Sequence, residues 1–555
     1  MHRLRCFCLA ALMAVLPMCG PPARTATLPP CGSDAGFADL LARHARAYGT
    51  ESAVRASLPR SMQATRTRLD DGGSRTVEIL LDARGVSTSS RLGPLEQAQG
   101  IDATGPWSLD PAGATLRLRG EETVAIQAEA WLLRREYLST RFDTTCEPAV
   151  EAGRLVVRAH AHAPNAGYPV LFFDPETAAL LRAELPLGGG QHGQRAIREY
   201  ERWSAPNVAT GVRFPLVWSD KSDDGAMVRI AVTSAVDGLH CRRDDGTGDA
   251  PVEISGGPCL AMHGPTRTSW PPSRRVRVPM TMVEGLLVLP ARIGHRELWA
   301  LLDSGANAAV VDREGAVASA FRPHGEETSG MAATQRVAFE IGMIDSIGIG
   351  DLVLSHNPAQ RLSFPAFREL GTKRPELLLG WPLFAMAAVR IDYVRDEIII
   401  AADAAGLVSP GASKVPLRVA DGSGPLAEID VEGERGWFLV DTGSTGDVDF
   451  AKAWSDRHGF PGARPTRQKQ FHFGLGPEKT TATVFRLASA TLGPIAMHGR
   501  NSFIHDRGAD DRFAGAVGEG ALSSCAAVIF DIPQRSLWFE PPCDRRGTEG
   551  LFSTE

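Results

Sequence analysis

Two kinds of apolar patterning divide the chain. Over residues 35–240, short segments alternate apolar and polar positions, as at 76–81, 114–118, 155–160, 170–173 and 227–232, with turn residues between them. A period of two buries one face of a strand, so an antiparallel sheet is expected here. Helix-like stretches interrupt the alternation at 37–48 and 128–138, and the second is expected to pack on the sheet. From about residue 276 two apolar strands run straight into an acid: Leu301-Leu302-Asp303-Ser304-Gly305-Ala306 and Leu439-Val440-Asp441-Thr442-Gly443-Ser444. Such an ending delivers a carboxylate on a tight turn at the end of a buried strand. Either one alone is as readily an ordinary polar turn.

The surroundings of the two turns separate them from chance. Downstream of the first lie Leu378-Leu379-Gly380 and a strand carrying Asp392; downstream of the second lie Ala516-Val517-Gly518 and a strand carrying Asp531. Upstream stand Val278-Pro279 and Val415-Pro416. The acids, the glycines, the later acids and the prolines are offset by 138, 138, 139 and 137 residues. Four landmarks on one period point to an internal duplication.

This pair of pairs resembles the aspartic proteases, specifically bacterial retropepsin-like proteins with two lobes fused in one chain, over residues 276–543. The resemblance implies a bilobal, pseudo-twofold β fold in which Asp303 and Asp441 share one proton and activate a water for peptide hydrolysis. It also implies that Ser304 and Thr442 cross-link the turns through hydroxyl-to-backbone hydrogen bonds. Gly305 and Gly443 would offer backbone to the carboxylates, and Gly380 and Gly518 would lie on strands passing close beneath. Flap candidates are Gly330 in lobe one and Gly474 and Gly476 in lobe two. The five tyrosines, Tyr48, Tyr137, Tyr168, Tyr200 and Tyr393, offer none for a pepsin-type flap, which favours the retropepsin side. Glu519 stands where lobe one has Trp381. A third acid there either perturbs the dyad or faces solvent, and solvent is the expectation.

The order of elements before residue 240 has its own likeness. Gly105-Pro106-Trp107, then Phe173-Asp174-Pro175-Glu176-Thr177, then residues 212–217 resemble the half-barrel of periplasmic lipoprotein carriers. That implies a concave apolar face able to hold a lipid or an extended peptide; a prodomain or spacer is the plain alternative. Residues 241–275, rich in Gly, Pro, Asp and Thr, read as a linker whose cleavage would release the two lobes, expected at 276–405 and 414–545.

Composition narrows the remaining choices. The 555 residues carry a net charge of −6 and no Lys/Arg block, which argues against nucleic acid as a partner. Arg3 and Arg5 ahead of a short apolar run, with small and proline residues to 26, read as a secretory signal. Residues 16–18 lack the small side chain expected before a lipidated cysteine, so a periplasmic or secreted protein is expected rather than anchoring at Cys19. Outside the signal six cysteines remain. Cys525 and Cys543 are equidistant from the turn at Gln534 and should face each other. Cys241 with Cys259 would pin the linker, leaving Cys31 with Cys146. His160 and His162 share a strand face without a third ligand, so no metal is assigned, and no organic cofactor is implied. Residues 474–480 lack the glycine before lysine that a phosphate loop needs. The expected whole is a mainly β monomer: a half-barrel-like sheet with helices, then two protease-like lobes acting on a peptide or protein.

Overall fold

The computed structural model describes residues 34–544 apart from short internal segments, of which the longest are 140–145, 187–194, 252–265 and 506–512. The protein is mainly β, with large antiparallel sheets and few helices. The front sheet has 13 strands, and neighbours in the sheet are almost always neighbours in sequence. One meander runs from Arg60–Arg68 out to Thr115–Arg117 and the other from Cys146–Glu151 back to Met227–Asp237. They join where Arg60–Arg68 pairs antiparallel with Met227–Asp237.

Helices fill one face of this sheet. Phe37 and Leu40 of Asp34–Tyr48 and Trp131 and Leu132 of Val124–Leu133 pack with Val157, Leu171 and Phe173. The second helix ends earlier than the expected 128–138. Arg135 adopts a left-handed backbone (φ 56°), and its buried guanidinium caps the carbonyls of Tyr48, Gly49 and Arg213. A short 3₁₀ turn, Glu136–Leu138, follows.

The two lobes meet in one sheet. Its central strands, Ala388–Asp392 from lobe one and Ala527–Asp531 from lobe two, pair antiparallel with Val389 opposite Phe530 and Ile391 opposite Val528. Glu397–Ala401 and Arg275–Pro279 extend it on one side, Ser536–Glu540 and Ser413–Ala420 on the other. Arg390 of lobe one pairs with Asp392 at 3.0 Å and with Glu540 of lobe two, all three buried. Cys525 and Cys543 form the disulfide expected across the open end of the last hairpin. Cys31 and Cys259 lie outside the described residues, and so do the two pairings that need them.

The front domain is clasped to lobe two. Glu122 accepts hydrogen bonds from the Val419 backbone N–H (2.7 Å) and from Arg535 Nε (3.1 Å), while Arg418 pairs with Glu121 at 2.5 Å. Arg535 also donates to the Arg117 carbonyl at 3.0 Å. Glu122 and Arg535 are both nearly inaccessible. Within the segment expected as a linker, Arg267–Ser269 pairs with Leu352–Leu362.

Candidate active site

Each acid sits where an apolar strand leaves the sheet. Arg296–Leu302 and Glu434–Val440 run parallel to Pro375–Leu379 and Gly515–Val517, and the N–H groups of Asp303 and Asp441 bond the carbonyls of Leu379 and Val517 at 3.0 and 2.9 Å. Directly after these partner strands come Gly380 and Gly518. A Cβ on Gly380 would strike the carbonyls of Ala306 and Ala308; one on Gly518 would lie 2.5 and 2.7 Å from those of Ser444 and Gly446. Both strands therefore pass against the turns at a distance that only glycine permits.

Four hydrogen bonds tie the two turns together. Ser304 N–H donates to Thr442 Oγ1 (2.9 Å) and Thr442 N–H to Ser304 Oγ (3.0 Å). Each hydroxyl then donates onward across the lobes, Ser304 to the Val440 carbonyl (2.6 Å) and Thr442 to that of Leu302 (2.8 Å). Both side chains are fully buried, so each hydroxyl meets a donor and an acceptor that have no water to turn to.

The lattice sets the two half-buried carboxyl groups opposite each other, each against the glycine of the other turn. Gly305 N–H bonds Asp303 Oδ1 at 3.0 Å and Gly443 N–H bonds Asp441 Oδ1 at 2.8 Å. A Cβ on either glycine would fall within 2.7 Å of the opposite carboxylate. Burial, then the Asp441 charge, pushes Asp303 well up from the ordinary carboxylate range. Asp441 is raised by burial and partly relieved by the backbone N–H groups that bond it. Two acids coupled in this way titrate as a pair rather than singly.

Hairpins occupy the two places expected for flaps. Thr328–Ala332 pairs with Gln335–Ile349, Gly330 opposite Val337. Thr466–His472 pairs with Lys479–Arg486, and Gly474 takes the turn at φ 73°; Gly476 lies outside the described residues. Leu475, at the tip, packs on a lobe-one cluster containing Leu286, Val288, Phe339 and Ile341, so this hairpin reaches across between the lobes.

Glu519 corrects the expectation of a solvent-facing acid. It opens the short helix Glu519–Leu522, its N–H bonds the Ser444 carbonyl at 2.8 Å, and its side chain is wholly buried. Its Oε2 accepts from the Tyr393 hydroxyl at 2.7 Å. Asp449 is a further buried acid, outside the two turn motifs, accepting from Ser444 Oγ at 3.2 Å. Its signal was an acid inside the apolar strand Val448–Phe450. Among the described residues no group of three or more His, Cys, Asp or Glu is arranged to hold a metal ion; His162 lies outside them.

No known family matches the sequence, and no curated protein does. Solved structures show distant likenesses. Basic 7S globulin from soybean is 13% identical, over 48% of this chain and 96% of that one, with a TM-score of 0.31. The aspartic proteinase from Irpex lacteus is 11% identical, over 49% and 100%, with a TM-score of 0.30. A LolA superfamily protein from Nitrosomonas europaea is 10% identical, over 36% and 92%, with a TM-score of 0.27. Similarities this distant say nothing about activity.

Proposed function

We propose that the protein is an exported aspartic-type endopeptidase. The observation that carries this reading is the reciprocal Ser304–Thr442 lattice, which sets Asp303 and Asp441 on facing turns, each carboxylate against the glycine of the other turn. The ionised carboxylate takes a proton from a water; the resulting hydroxide forms its bond to the scissile carbonyl carbon while the other carboxyl gives its proton to the carbonyl oxygen. The tetrahedral diol then collapses. Its C–N bond breaks as the amide nitrogen takes a proton from the protonated carboxyl and one diol hydroxyl gives its proton to the other carboxylate, so the carboxylic acid and amine leave and the dyad is restored. An extended chain would bind between the lobes beneath the two hairpins, its backbone bonded like an added strand. Export follows from the signal-like start and agrees with the disulfide. No helix among the described residues is long and apolar enough to cross a membrane.

Turnover of a mixed peptide library over a range of pH tests the reading, with Asp303→Asn and Asp441→Asn measured alongside. Each variant should lose activity by on the order of 10³-fold or more, since the dyad then lacks its base or its acid. Peptide binding that survives both substitutions, with no cleavage by the wild type, would make this a binding protein on a protease-like frame.

A further inference from the structure

The sheet that joins the lobes has two faces of different chemistry. Val276, Val278, Ile398 and Ile400 turn one face into the core of the lobes. On the other face, side chains two residues apart on the edge strand Arg275–Pro279 fall together, which pairs Arg275 with Arg277. Register sets Arg277 opposite Ile399 and Ile399 opposite Arg390, so two arginines about 10 Å apart in the sheet flank one isoleucine.

The connection between the lobes crosses this charged face. Its Leu407 clusters with Ala388, Ile399, Ala401 and Ile529, and between connection and sheet lies a cavity of about 290 Å³. Ile399 and Leu407 are the apolar part of its lining. Arg275, Arg277, Arg390 and Arg395 all reach it, and Glu397 is the one carboxylate among the described residues that does.

The acids nearby do not balance these arginines. Glu397 pairs with Arg277 at 2.6 Å. Asp392 and Glu540 are buried outside the lining; Asp392 serves both Arg390 and Arg395 at 3.0 Å, and Glu540 takes Arg390 and the Ser409 N–H. Arg275 meets no carboxylate among the described residues: its Nη2 donates to the carbonyls of Gly406 (3.1 Å) and Ala405 (3.4 Å). Four positive charges therefore face three negative ones in all, and four face one at the cavity wall. A concave wall of one sign concentrates its field in the cavity and draws in counter-ions.

We propose that this cavity binds a phosphate group, gripped by Arg275, Arg277 and Arg395 with Arg390 behind them. Guanidinium forks match phosphate oxygens in pairs, and a phosphate monoester carries about −1.5 to −2 charges at neutral pH, enough to answer the excess on the wall. Set against the ~30 Å³ share of a water molecule, the cavity has room for the phosphate and a short organic stem along Ile399 and Leu407. The site uses no residue of the dyad or of its hydrogen-bond lattice, and so stands apart from the protease reading.

The test is equilibrium dialysis of the full chain with labelled inorganic phosphate, at constant ionic strength in chloride. One saturable site per chain is expected. Arg275→Gln and Arg395→Gln should each weaken it by about 10-fold or more, the factor that one hydrogen bond to a charged group represents. Neither strands a buried acid, because Asp392 keeps Arg390; Arg277 is left intact because its loss would strand Glu397. Arg435→Gln, at an exposed arginine of lobe two paired with Glu428, should bind as the wild type does. Competition by glycerol 3-phosphate at lower concentrations than inorganic phosphate would identify the ligand as a small ester, and competition by inorganic phosphate alone the free anion; either supports the site. Uptake that never saturates, or affinity that falls equally in all three variants, would show only a solvated charged face and overturn the proposal. Citrate competing better than phosphate would overturn the assignment to phosphate. Phosphate should also raise the melting temperature of the wild type more than that of Arg275→Gln, since a ligand stabilises the state that binds it. An equal rise in both is the general effect of an excluded salt and would refute the site without reference to dialysis.

Discussion

Lobe one and lobe two solve the same backbone problem with different chemistry. Each supplies an apolar strand, a turn carrying an aspartate, and a glycine strand beneath, with hydrogen bonds that recur 138 residues apart. Behind the turn, however, lobe one is packed with Trp381 and Val310, and lobe two with Glu519 and Asp449, Val310 lying opposite Leu378 as Asp449 lies opposite Ala516. The backbone geometry thus depends on the positions where a side chain would collide or where a buried N–H needs an acceptor. The volume behind those positions is free to vary. Two acids that differ in their surroundings are what a general acid and a general base require, so the asymmetry is where function can enter a symmetric frame.

The strongest test of shared geometry is at the glycines. Gly380→Ala and Gly518→Ala each drive a methyl into carbonyl oxygens that cannot move without opening the turn. Each should cost about 3 kcal/mol or more in denaturant unfolding, with the two costs within about 1 kcal/mol of each other. An alanine tolerated in one lobe only would mean that the two cradles differ. Next come Ser304→Ala and Thr442→Ala. Each removes the hydroxyl that accepts a buried N–H from the other lobe and donates to a buried carbonyl. About 2–4 kcal/mol should be lost in either case, since stranded polar groups cost about 1–3 kcal/mol apiece. Cleavage should fall with stability, because these two hydroxyls hold the turns in register.

Local signals carried much of this architecture into the sequence, and contacts between distant segments did not. The acid-hydroxyl-glycine turns, the paired glycines and the Cys525–Cys543 hairpin could be read because each depends on residues close in the chain or on one repeated spacing. Glu519 could not be placed that way. What buries it is Tyr393, 126 residues earlier, and a glutamate opening a short helix looks from sequence like a solvated first turn. The clasp of Glu122 with Arg535 spans 413 residues and has no local signature. The middle helix was displaced for a similar reason: Arg135 stops it by binding carbonyls from two other segments. Asp449 was the nearest miss, legible as an acid in a strand otherwise apolar.

That residue also gives the finest way to separate the lobes. Burial lifts Asp449 to about 7, opposed by the Ser444 hydroxyl and reinforced by Asp441 and Asp447. In the unfolded chain an aspartate ionises near ~3.9. Between those values the native protein holds a proton that the unfolded chain has released. The raised group therefore makes stability fall with rising pH, by up to about 1.4 kcal/mol per unit, with the whole loss in place above pH 7. Asp449→Asn should keep the Ser444 hydrogen bond and change stability at pH 4 by less than about 1 kcal/mol, while flattening the decline between pH 4 and 7. Val310, the matching residue of lobe one, has nothing to titrate, so Val310→Ala should lower stability by a similar amount at every pH. Denaturant midpoints for both variants at pH 4, 5.5 and 7 decide the matter: parallel curves for Asp449→Asn and wild type would mean that the acid in lobe two is already ionised in the native state, and that the two lobes differ in shape alone.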